Sequence, residues 1–333
     1  MSDTGAPPYL PETQLEDEAL RGEVVRGLSS TPKFLPPRLF YDEEGSRLFE
    51  RITETPEYYL TRSELEILHT NGNEMAALIG ADPAIIEYGS GSGVKTRVLL
   101  DILVPTAYLP VDIACAQLGR VAGKIAFDYP DVWVRPICAD YTLPLRIPPL
   151  PETPRCIAFF PGSTIGNFHP SEAATFLRNI RRTVGAGGGL LLGVDRRKSM
   201  VALDAAYNDA QGVTAAFNLN LLARLNREFA ADFQLSAFRH RAFSNQDTSR
   251  VEMHLESLES QSVHVAGTPV HFERGEMLRT EYSYKYDDAG LYRLASAGGF
   301  ALRKLWTDAG ENFWVAFLEA KRERYADWRS GRR

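Results

Sequence analysis

Cysteine is scarce in this sequence, which has only three among its 333 residues: Cys115, Cys138 and Cys156. No two of them have the CxxC spacing of zinc sites and redox motifs. The sequence therefore predicts neither a zinc site nor a disulfide framework. Because few cysteines and no disulfides are typical of a reducing compartment, we expect this protein in the cytoplasm.

Long apolar runs and an excess of basic residues are also missing. No run approaches the roughly 18 apolar residues that a membrane-spanning helix needs. The first residues are acidic and rich in proline, unlike a signal or transit peptide. The formal net charge is -6, whereas nucleic acids and anionic membranes attract basic surfaces. We therefore expect a small-molecule substrate, with no nucleic acid and no membrane as partner, and the composition is compatible with a monomer.

Histidine patterns typical of metal enzymes are absent as well. The sequence contains six histidines, and no two of them form an HxxxH or HExxH pair. We therefore predict no metal and assign none of the histidines to catalysis.

Short apolar runs alternate with helical stretches from residue 84 onward, as in a parallel, doubly wound α/β sheet. Residues 200–230 then favour long helices, and residues 236–282 show the period-2 pattern of antiparallel strands. The predicted fold is a Rossmann-like sheet interrupted by a discontinuous second α+β domain. We expect residues 62–196 and 285–322 in the sheet domain, and residues 8–61 and 197–284 in a substrate-binding cap. The predicted strands of the sheet are Ala84–Tyr88, Tyr108–Val111, Val132–Cys138, Cys156–Phe160, Leu190–Val194, Phe300–Leu305 and Phe313–Leu318.

A glycine loop follows the first predicted strand, where open α/β sheets bind their ligands. Gly89, Gly91 and Gly93 form a GxGxG sequence, and Glu87 precedes the first glycine by two positions. Nicotinamide dinucleotide sites have GxGxxG instead, and the Walker spacing is absent. The ExGxGxG pattern resembles the first motif of class I methyltransferases, which use S-adenosylmethionine. Lys95 would lie in the first helical turn, where the helix dipole disfavours a cation unless an anionic ligand group is present.

Acidic residues end the next two predicted strands. Asp112 can accept hydrogen bonds from ribose hydroxyls, and Asp140 with Tyr141 suits the amine and the π-face of adenine. Either aspartate alone would more often cap a helix. Because the strand ends occur in the right order after a glycine loop, we interpret them as a nucleoside site.

Several longer strings point to one family. They are Phe40–Asp42, Pro56–Tyr59, Phe160–Phe168, Ala206–Asn218 and Thr280–Ser283. Together they resemble the histidine Nα-methyltransferases of ergothioneine biosynthesis, and the resemblance runs from about residue 33 to residue 320. It implies three successive methyl transfers from S-adenosylmethionine to the α-amine of L-histidine, giving hercynine.

The resemblance also implies site residues, by position. Well-known bacterial members lack the third glycine of the loop, which is Gly93 here, and have phenylalanine where Tyr141 stands. The cofactor-binding residues are Gly89, Lys95, Asp112, Asp140 and Tyr141, with Gly91 added from the glycine loop. The histidine-binding residues are Tyr41, Tyr58, Gly162, Asn167, Tyr207, Met253, Glu281 and Ser283. The candidates for orienting the reacting amine, and so for catalysis, are Tyr41, Gly162 and Asn167.

These residue types suit histidine chemically. Asn167 and Tyr207 can donate hydrogen bonds to the carboxylate of the substrate. Glu281 can accept one from an imidazole N–H, and Ser283 and Tyr58 can satisfy the ring nitrogens. An unpaired polar group in such a site costs about 1–3 kcal/mol, so analogues lacking it are rejected.

Three alternatives remain open at this point. The same fold could methylate another aromatic amino acid such as tryptophan or tyrosine, although an indole would favour smaller or apolar residues at Met253 or Glu281. The chain could be an inactive nucleoside-binding regulator, which the intact loop and polar pocket disfavour. A nicotinamide-dependent oxidoreductase is disfavoured by the GxGxG spacing.

Overall fold

The computed structural model of the protein describes residues 13–91, 93–150 and 154–321. Its α-helices in these ranges are α1 (Thr13–Ser29), α2 (Glu43–Glu54), α3 (Leu60–Ile79), α4 (Val94–Leu103), α5 (Cys115–Asp128), α6 (Pro170–Val184), α7 (Met200–Ala206), α8 (Val213–Glu228) and α9 (Asp288–Ala297). Short 3-10 helices cover Pro37–Phe40, Thr164–Asn167 and Leu235–Ala237. The strands are β1 (Ala84–Tyr88), β2 (Ala107–Asp112), β3 (Trp133–Val134), β4 (Ile137–Cys138), β5 (Cys156–Phe160), β6 (Gly189–Asp195), β7 (Phe238–Asn245), β8 (Arg250–Ser257), β9 (Gln261–Val265), β10 (Thr268–Phe272), β11 (Met277–Tyr284), β12 (Phe300–Thr307) and β13 (Phe313–Ala320).

The central sheet has the strand order β12-β13-β6-β5-β1-β2-β3, and β4 extends the edge by pairing with β2. Strands β6, β5, β1, β2, β3 and β4 are parallel, whereas β13 is antiparallel to both of its neighbours. After β2 and β3 extend the sheet to one side of β1, the chain returns to β5 on the other side. The carboxyl ends of β1 and β5 therefore flank a topological switch point, where such sheets bind ligands.

Side chains alternate between the two faces of this sheet. Ile86 and Tyr88 pack with α6 and α9 on one face, and Ile85 packs with α3 and α4 on the other. The hydrophobic cluster that contains Ile85 continues into α8 and β8, so the sheet and the inserted elements share one core. Burying each such large apolar side chain stabilises the fold by about 1.5–3 kcal/mol.

The inserted elements form two small antiparallel sheets, β7-β8-β11 and β9-β10. Asp42 ties α2 to α8: its carboxylate caps α2 by accepting the Gly45 N–H at 2.7 Å, and it accepts the Asn220 side-chain amide at 2.8 Å. The ring of Phe40 stacks on that of Phe217 in α8, with centroids 4.3 Å apart. These contacts hold the N-terminal segment against the insert.

The predicted fold class is confirmed, because the parallel sheet and the helical and antiparallel character of the insert are observed. One strand differs: the predicted Val132–Cys138 is divided into the two-residue strands β3 and β4, which both pair with β2. We propose that residues 13–61 and 197–284 form the cap, and that residues 62–196 and 285–321 form the sheet domain. Positions 8–12 and 322 of the predicted domains lie outside the described residues. No helix in the described part of the chain is both long enough and apolar enough to cross a membrane.

The prediction of no disulfide is wrong for one pair of cysteines. The structure joins Cys115 and Cys138, whose Cα atoms lie 5.2 Å apart. Cys115 begins α5 just after β2, and Cys138 pairs with Asp112 at the end of that strand. Two cysteines that are 23 positions apart in the sequence thus become neighbours through sheet pairing, which their local spacing does not reveal. Cys156 is unpaired and half-buried.

Gly166 lies where the sheet meets the insert. It belongs to the 3-10 helix Thr164–Asn167 after β5, and this helix packs on β11. A Cβ atom at Gly166 would lie 2.7 Å from the carbonyl oxygen of Tyr284 and 3.1 Å from its nitrogen. Both atoms belong to the backbone of β11, which is paired with β8 at this residue, so neither atom can move away easily.

We expect Gly166→Ala to lower the free energy of unfolding by about 1–3 kcal/mol, because the added methyl group overpacks this junction. Urea denaturation measures the loss. Gly123→Ala in α5 is the matched control, since its Cβ would meet nothing within 4 Å and alanine favours a helix by up to about 1 kcal/mol. Equal stability of the Gly166→Ala variant and the parent would contradict the packing described here.

Candidate functional site

A large cavity lies at the switch point, between the carboxyl ends of the sheet strands and the inserted elements. Its volume is about 1040 Å³. The sequence-predicted residues that line it are Tyr41, Tyr58, Gly89, Gly91, Lys95, Asp112, Asp140, Tyr141, Gly162 and Asn167. The structure therefore brings the predicted cofactor residues and half of the predicted substrate residues to one crevice.

The glycine loop turns through left-handed backbone conformations, with φ of +76° at Gly89, +49° at Gly91 and +76° at Gly93. A Cβ atom at Gly91 would meet nothing within 4 Å, so the loop faces open space there. Glu87, at the end of β1, links the elements on either side of the loop. Its Oε2 accepts a hydrogen bond from the Tyr108 hydroxyl at 2.6 Å and one from the Thr96 hydroxyl at 2.7 Å. Burial raises the pKa of Glu87 to about 7, although those two hydrogen bonds oppose the shift.

Asp112 is the last residue of β2 and lies shortly before the start of α5. Its Oδ1 accepts the N–H of Ala114 at 3.0 Å, at the start of α5, while the side chain also lines the crevice. Burial raises the pKa of this carboxyl, against the hydrogen bonds from neighbouring backbone N–H groups. Because α5 has no side-chain cap, this hydrogen bond fixes the turn before the helix and does not cap its first turn. It is compatible with a ligand contact at the same position.

Asp140 and Tyr141 form the next part of the wall. Asp140 accepts the Thr142 N–H at 2.9 Å and the Arg38 guanidinium at 3.1 Å, and Arg38 also pairs with Glu23. The ring of Tyr141 packs edge-on against Tyr88 and Phe160 and lies next to Gly89. Arg38 was missed at the sequence level, because nothing near it in the chain indicates a partner 102 positions away.

Lys95 is paired with a residue that the sequence analysis missed. Its Nζ lies 2.6 Å from Oε2 of Glu64, a fully buried carboxylate on α3. The same oxygen accepts the Gly162 N–H at 2.8 Å, while Oε1 of Glu64 is buried without a hydrogen-bond partner. A glutamate among the apolar positions of α3 is the signal that could have found it. Glu64 thus connects Lys95, in the first turn of α4, to the backbone of Gly162 just after β5.

The substrate residues lie in two layers. Tyr41, Tyr58, Gly162 and Asn167 line the crevice, and Tyr41 is the most accessible of these side chains, 36% exposed. The second layer is buried behind them and consists of Tyr207, Met253, Glu281 and Ser283.

Glu281 connects the two layers, because its buried carboxyl group lies next to the side chain of Asn167. Burial raises the pKa of Glu281 to about 7, while Lys285 and Asn167 oppose that shift. Met253 on β8 is directly opposite Glu281 on β11. Since Glu281 and Ser283 are two positions apart on this strand, their side chains lie on the same face.

A buried ionic network behind Ser283 was also missed. The carboxylate of Asp195, at the end of β6, lies 2.7 Å from Nζ of Lys285 and 2.5 Å from Nζ of Lys198. The hydroxyl of Tyr59 donates to the same carboxylate at 2.8 Å. The sequence shows Asp195 closing its strand as Asp112 and Asp140 close theirs, but its partners are distant in the chain. Among the residues described, no cluster of histidine, cysteine and acidic side chains is arranged to hold a metal ion.

Comparison with known proteins points to one family. The sequence pattern of the family described as "Histidine-specific methyltransferase, SAM-dependent" matches residues 20–320. The chain is 41% identical to "Histidine N-alpha-methyltransferase" of Mycolicibacterium smegmatis over 89% of this chain and 93% of that protein. It is 37% identical to "Ergothioneine biosynthesis protein 1" of Neurospora crassa, over 59% of this chain and 23% of that protein.

A more distant relative bears a different name. The chain is 30% identical to "4-dimethylallyltryptophan N-methyltransferase easF" of Aspergillus fumigatus, over 91% of this chain and 94% of that protein. The family match nevertheless spans almost the whole chain and includes both the glycine loop and β11. This chain belongs to the family of S-adenosylmethionine-dependent, histidine-specific methyltransferases.

Proposed function

We propose that this enzyme transfers three methyl groups in succession from S-adenosylmethionine to the α-amine of L-histidine. The product is hercynine, or histidine betaine, and the reaction is the first step of ergothioneine biosynthesis. The names of the relatives from Mycolicibacterium smegmatis and Neurospora crassa support this proposal. The structural observation that carries it is that Glu281 and Ser283 belong to β11, which packs on the 3-10 helix that bears Asn167 of the crevice wall.

The crevice fits S-adenosylmethionine in size and chemistry. Its volume is in the range of cofactor sites, and the space before Gly91 allows the loop to approach a ligand closely. We propose that Gly89, Gly91, Lys95, Asp112, Asp140 and Tyr141 hold the cofactor. In this arrangement Asp112 accepts from the ribose hydroxyls, Asp140 and Tyr141 contact adenine, and Lys95 attracts the carboxylate of the methionine portion.

Two carboxyl-bearing groups then compete for Lys95, since Glu64 already pairs with it at 2.6 Å. The ammonium group has three donor hydrogens, so it can keep Glu64 and also reach the cofactor. Glu64 thereby fixes the position of a flexible side chain, which reduces the entropy that cofactor binding would otherwise cost.

The substrate side of the proposal uses the two layers described above. Glu281 accepts from an imidazole N–H, and Ser283 and Tyr58 satisfy the ring nitrogens. Asn167 serves the substrate carboxylate, and Met253 packs against the ring. The hydroxyl of Tyr207 donates to Ser283 at 2.8 Å, so Tyr207 supports the ring side of the site instead of the carboxylate. Tyr41, the carbonyl of Gly162 and Asn167 orient the α-amine. These assignments follow the family resemblance. Tyr41, Tyr58, Gly162 and Asn167 also line the crevice, whereas the other four residues are buried.

The chemical demands on the protein are modest. S-adenosylmethionine supplies a methyl group bound to a sulfonium, so the leaving thioether is neutral and needs no proton or metal. The residues around Gly162 must align the amine, which contributes through proximity and orientation. An α-amine has an ordinary pKa of about 7.7–8.0, so water can take its proton at mildly alkaline pH without a strong base.

A second candidate function is methylation of another aromatic amino acid, such as tryptophan or tyrosine, as the Aspergillus fumigatus relative suggests by its name. Glu281 argues against it. An indole or phenol ring would leave one or more polar atoms of the buried Glu281 and Ser283 pair unsatisfied, at about 1–3 kcal/mol each.

We also propose that the enzyme works in the cytoplasm as a monomer without a nucleic-acid partner. The scarcity of cysteine supports this location.

The cofactor assignment predicts weaker binding of S-adenosylhomocysteine to Gly91→Val and to Asp112→Ala. The valine side chain fills the space before the loop and strains a left-handed residue. The alanine removes a charged acceptor worth about 1.5–3 kcal/mol, or roughly tenfold or more in affinity. Equilibrium dialysis measures both effects. Asp128→Ala, which removes a surface aspartate paired with Arg97, is the control and should bind like the parent. Unchanged affinity in both crevice variants would refute the assignment.

The substrate assignment predicts that Glu281→Ala binds L-histidine about tenfold or more weakly, because a ring N–H loses a charged acceptor worth roughly 1.5–3 kcal/mol. Calorimetric titration with S-adenosylhomocysteine present gives the affinities. Glu256→Ala on β8 is the control, since Glu256 pairs with Arg239 and Arg241 away from the crevice. The histidine proposal fails if Glu281→Ala and the parent bind histidine equally and both methylate another amino acid faster.

A further inference from the structure

Lys285 is a buried lysine whose three donor hydrogens all have partners. Its Nζ lies 2.7 Å from Oδ2 of Asp195, 2.9 Å from the hydroxyl oxygen of Tyr207 and 2.8 Å from that of Ser283. Its side chain is only 1% exposed. An ammonium group has three donors and no acceptor, so Lys285 can bind both hydroxyl oxygens only as a donor.

The two hydroxyl groups also bond to each other, at 2.8 Å. In the resulting triangle Lys285 donates along two sides, and the third side uses one hydroxyl hydrogen. The phenol of Tyr207 is the stronger donor, so it donates to Ser283. Both lone pairs of the Ser283 oxygen are then occupied, by Lys285 and by Tyr207, since a hydroxyl accepts at most two hydrogen bonds. The hydrogen of Ser283 is left to point out of the triangle.

We propose that Lys285 is a positioning residue that makes Ser283 an obligatory hydrogen-bond donor toward the substrate ring, and so selects a ring with an acceptor nitrogen. The inference rests on the proposed function, in which Ser283 faces the imidazole. Glu281, on the same face of β11, supplies the complementary acceptor. A donor and an acceptor side by side match the neutral imidazole ring, which carries one N–H and one unprotonated nitrogen.

Asp195 keeps this arrangement in its charged form. Burial alone would lower the pKa of Lys285, but the adjacent Asp195 carboxylate outweighs it and holds that pKa above its ordinary value. Burial would raise the pKa of Asp195, yet Lys285 and Lys198 hold it below its ordinary value. Lys285 therefore stays protonated at physiological pH, and it can only donate to the two hydroxyl oxygens.

The test compares L-histidine with the two pyrrolylalanines, which each keep one ring N–H and have a C–H in place of the other nitrogen. Calorimetry with S-adenosylhomocysteine present gives the ratio of affinities. In the parent we expect histidine to bind at least about tenfold more tightly than either analogue, because the Ser283 hydrogen is otherwise unpaired. In Lys285→Met that ratio should shrink toward one, since Ser283 can then donate to Tyr207 and accept from a pyrrole N–H.

A double-mutant cycle separates this positioning role from a general structural one. If Lys285 acts through Ser283, the double variant Lys285→Met/Ser283→Ala binds histidine no more than about twofold more weakly than Ser283→Ala alone, since coupled residues are not additive. Lys198→Met is the matched control. Lys198 pairs with the same Asp195 carboxylate, at 2.5 Å, and bonds to Tyr59 rather than to Tyr207 or Ser283. The Lys198→Met variant should therefore keep the parent's ratio of affinities for histidine and the pyrrolylalanines.

Tyr207→Phe keeps the inference testable if Lys285→Met fails to fold, because it leaves no buried charge unpaired. Losing the Tyr207 hydroxyl frees one lone pair of the Ser283 oxygen, which can then accept from a pyrrole N–H. The ratio of the affinities for histidine and the pyrrolylalanines should therefore fall in this variant too. An unchanged ratio in Lys285→Met or Tyr207→Phe, or independent losses in the cycle, would overturn the inference and leave the proposed function intact. A parent enzyme that does not methylate histidine would instead overturn the proposed function.

Discussion

The buried ion pair between Asp195 and Lys285 connects the two halves of this enzyme. Asp195 ends β6 of the central sheet, and Lys285 follows β11 of the insert, so the pair joins the cofactor-binding sheet to the strand that bears Glu281 and Ser283. Backbone hydrogen bonds between Tyr286 and the segment Asp195–Arg197 reinforce the junction. Removing one partner of such a pair costs about 3–5 kcal/mol, because the other charge stays buried. The geometry of the substrate pocket therefore depends on an interaction that lies outside it.

A second junction lies on the cofactor side, near Gly162 at the end of β5. Glu64 on α3 binds both Lys95 of the cofactor loop and the N–H of Gly162. Four residues farther on, Gly166 packs directly on the backbone of β11. The segment from Gly162 to Asn167 thus touches the cofactor loop at one end and the substrate strand at the other. In the proposed function this short segment aligns the amine with the methyl donor, which raises the rate through proximity and orientation.

Much of this could be predicted from the sequence, because the informative signals are local. Strand-helix alternation predicted the sheet, and the GxGxG loop predicted a crevice at the end of β1. Of the eight substrate residues that the family strings suggested, four line this crevice and four are buried. What escaped prediction depends on pairs that are distant in the chain. Asp195 and Lys285 are 90 positions apart, Arg38 and Asp140 are 102 apart, and the Cys115–Cys138 pair forms only when β4 aligns with β2. No local pattern records such pairings.

The proposed chemistry is tested most directly by mass spectrometry of the products formed from L-histidine and S-adenosylmethionine, over a range of pH and with EDTA present. We predict mono-, di- and trimethylated histidine with every methyl group on the α-nitrogen. The initial rate should rise with pH through the titration of the amine, near its ordinary pKa of about 7.7–8.0, and should survive chelation. Methyl groups on the imidazole ring, or activity lost with EDTA and restored by a divalent metal, would contradict the account.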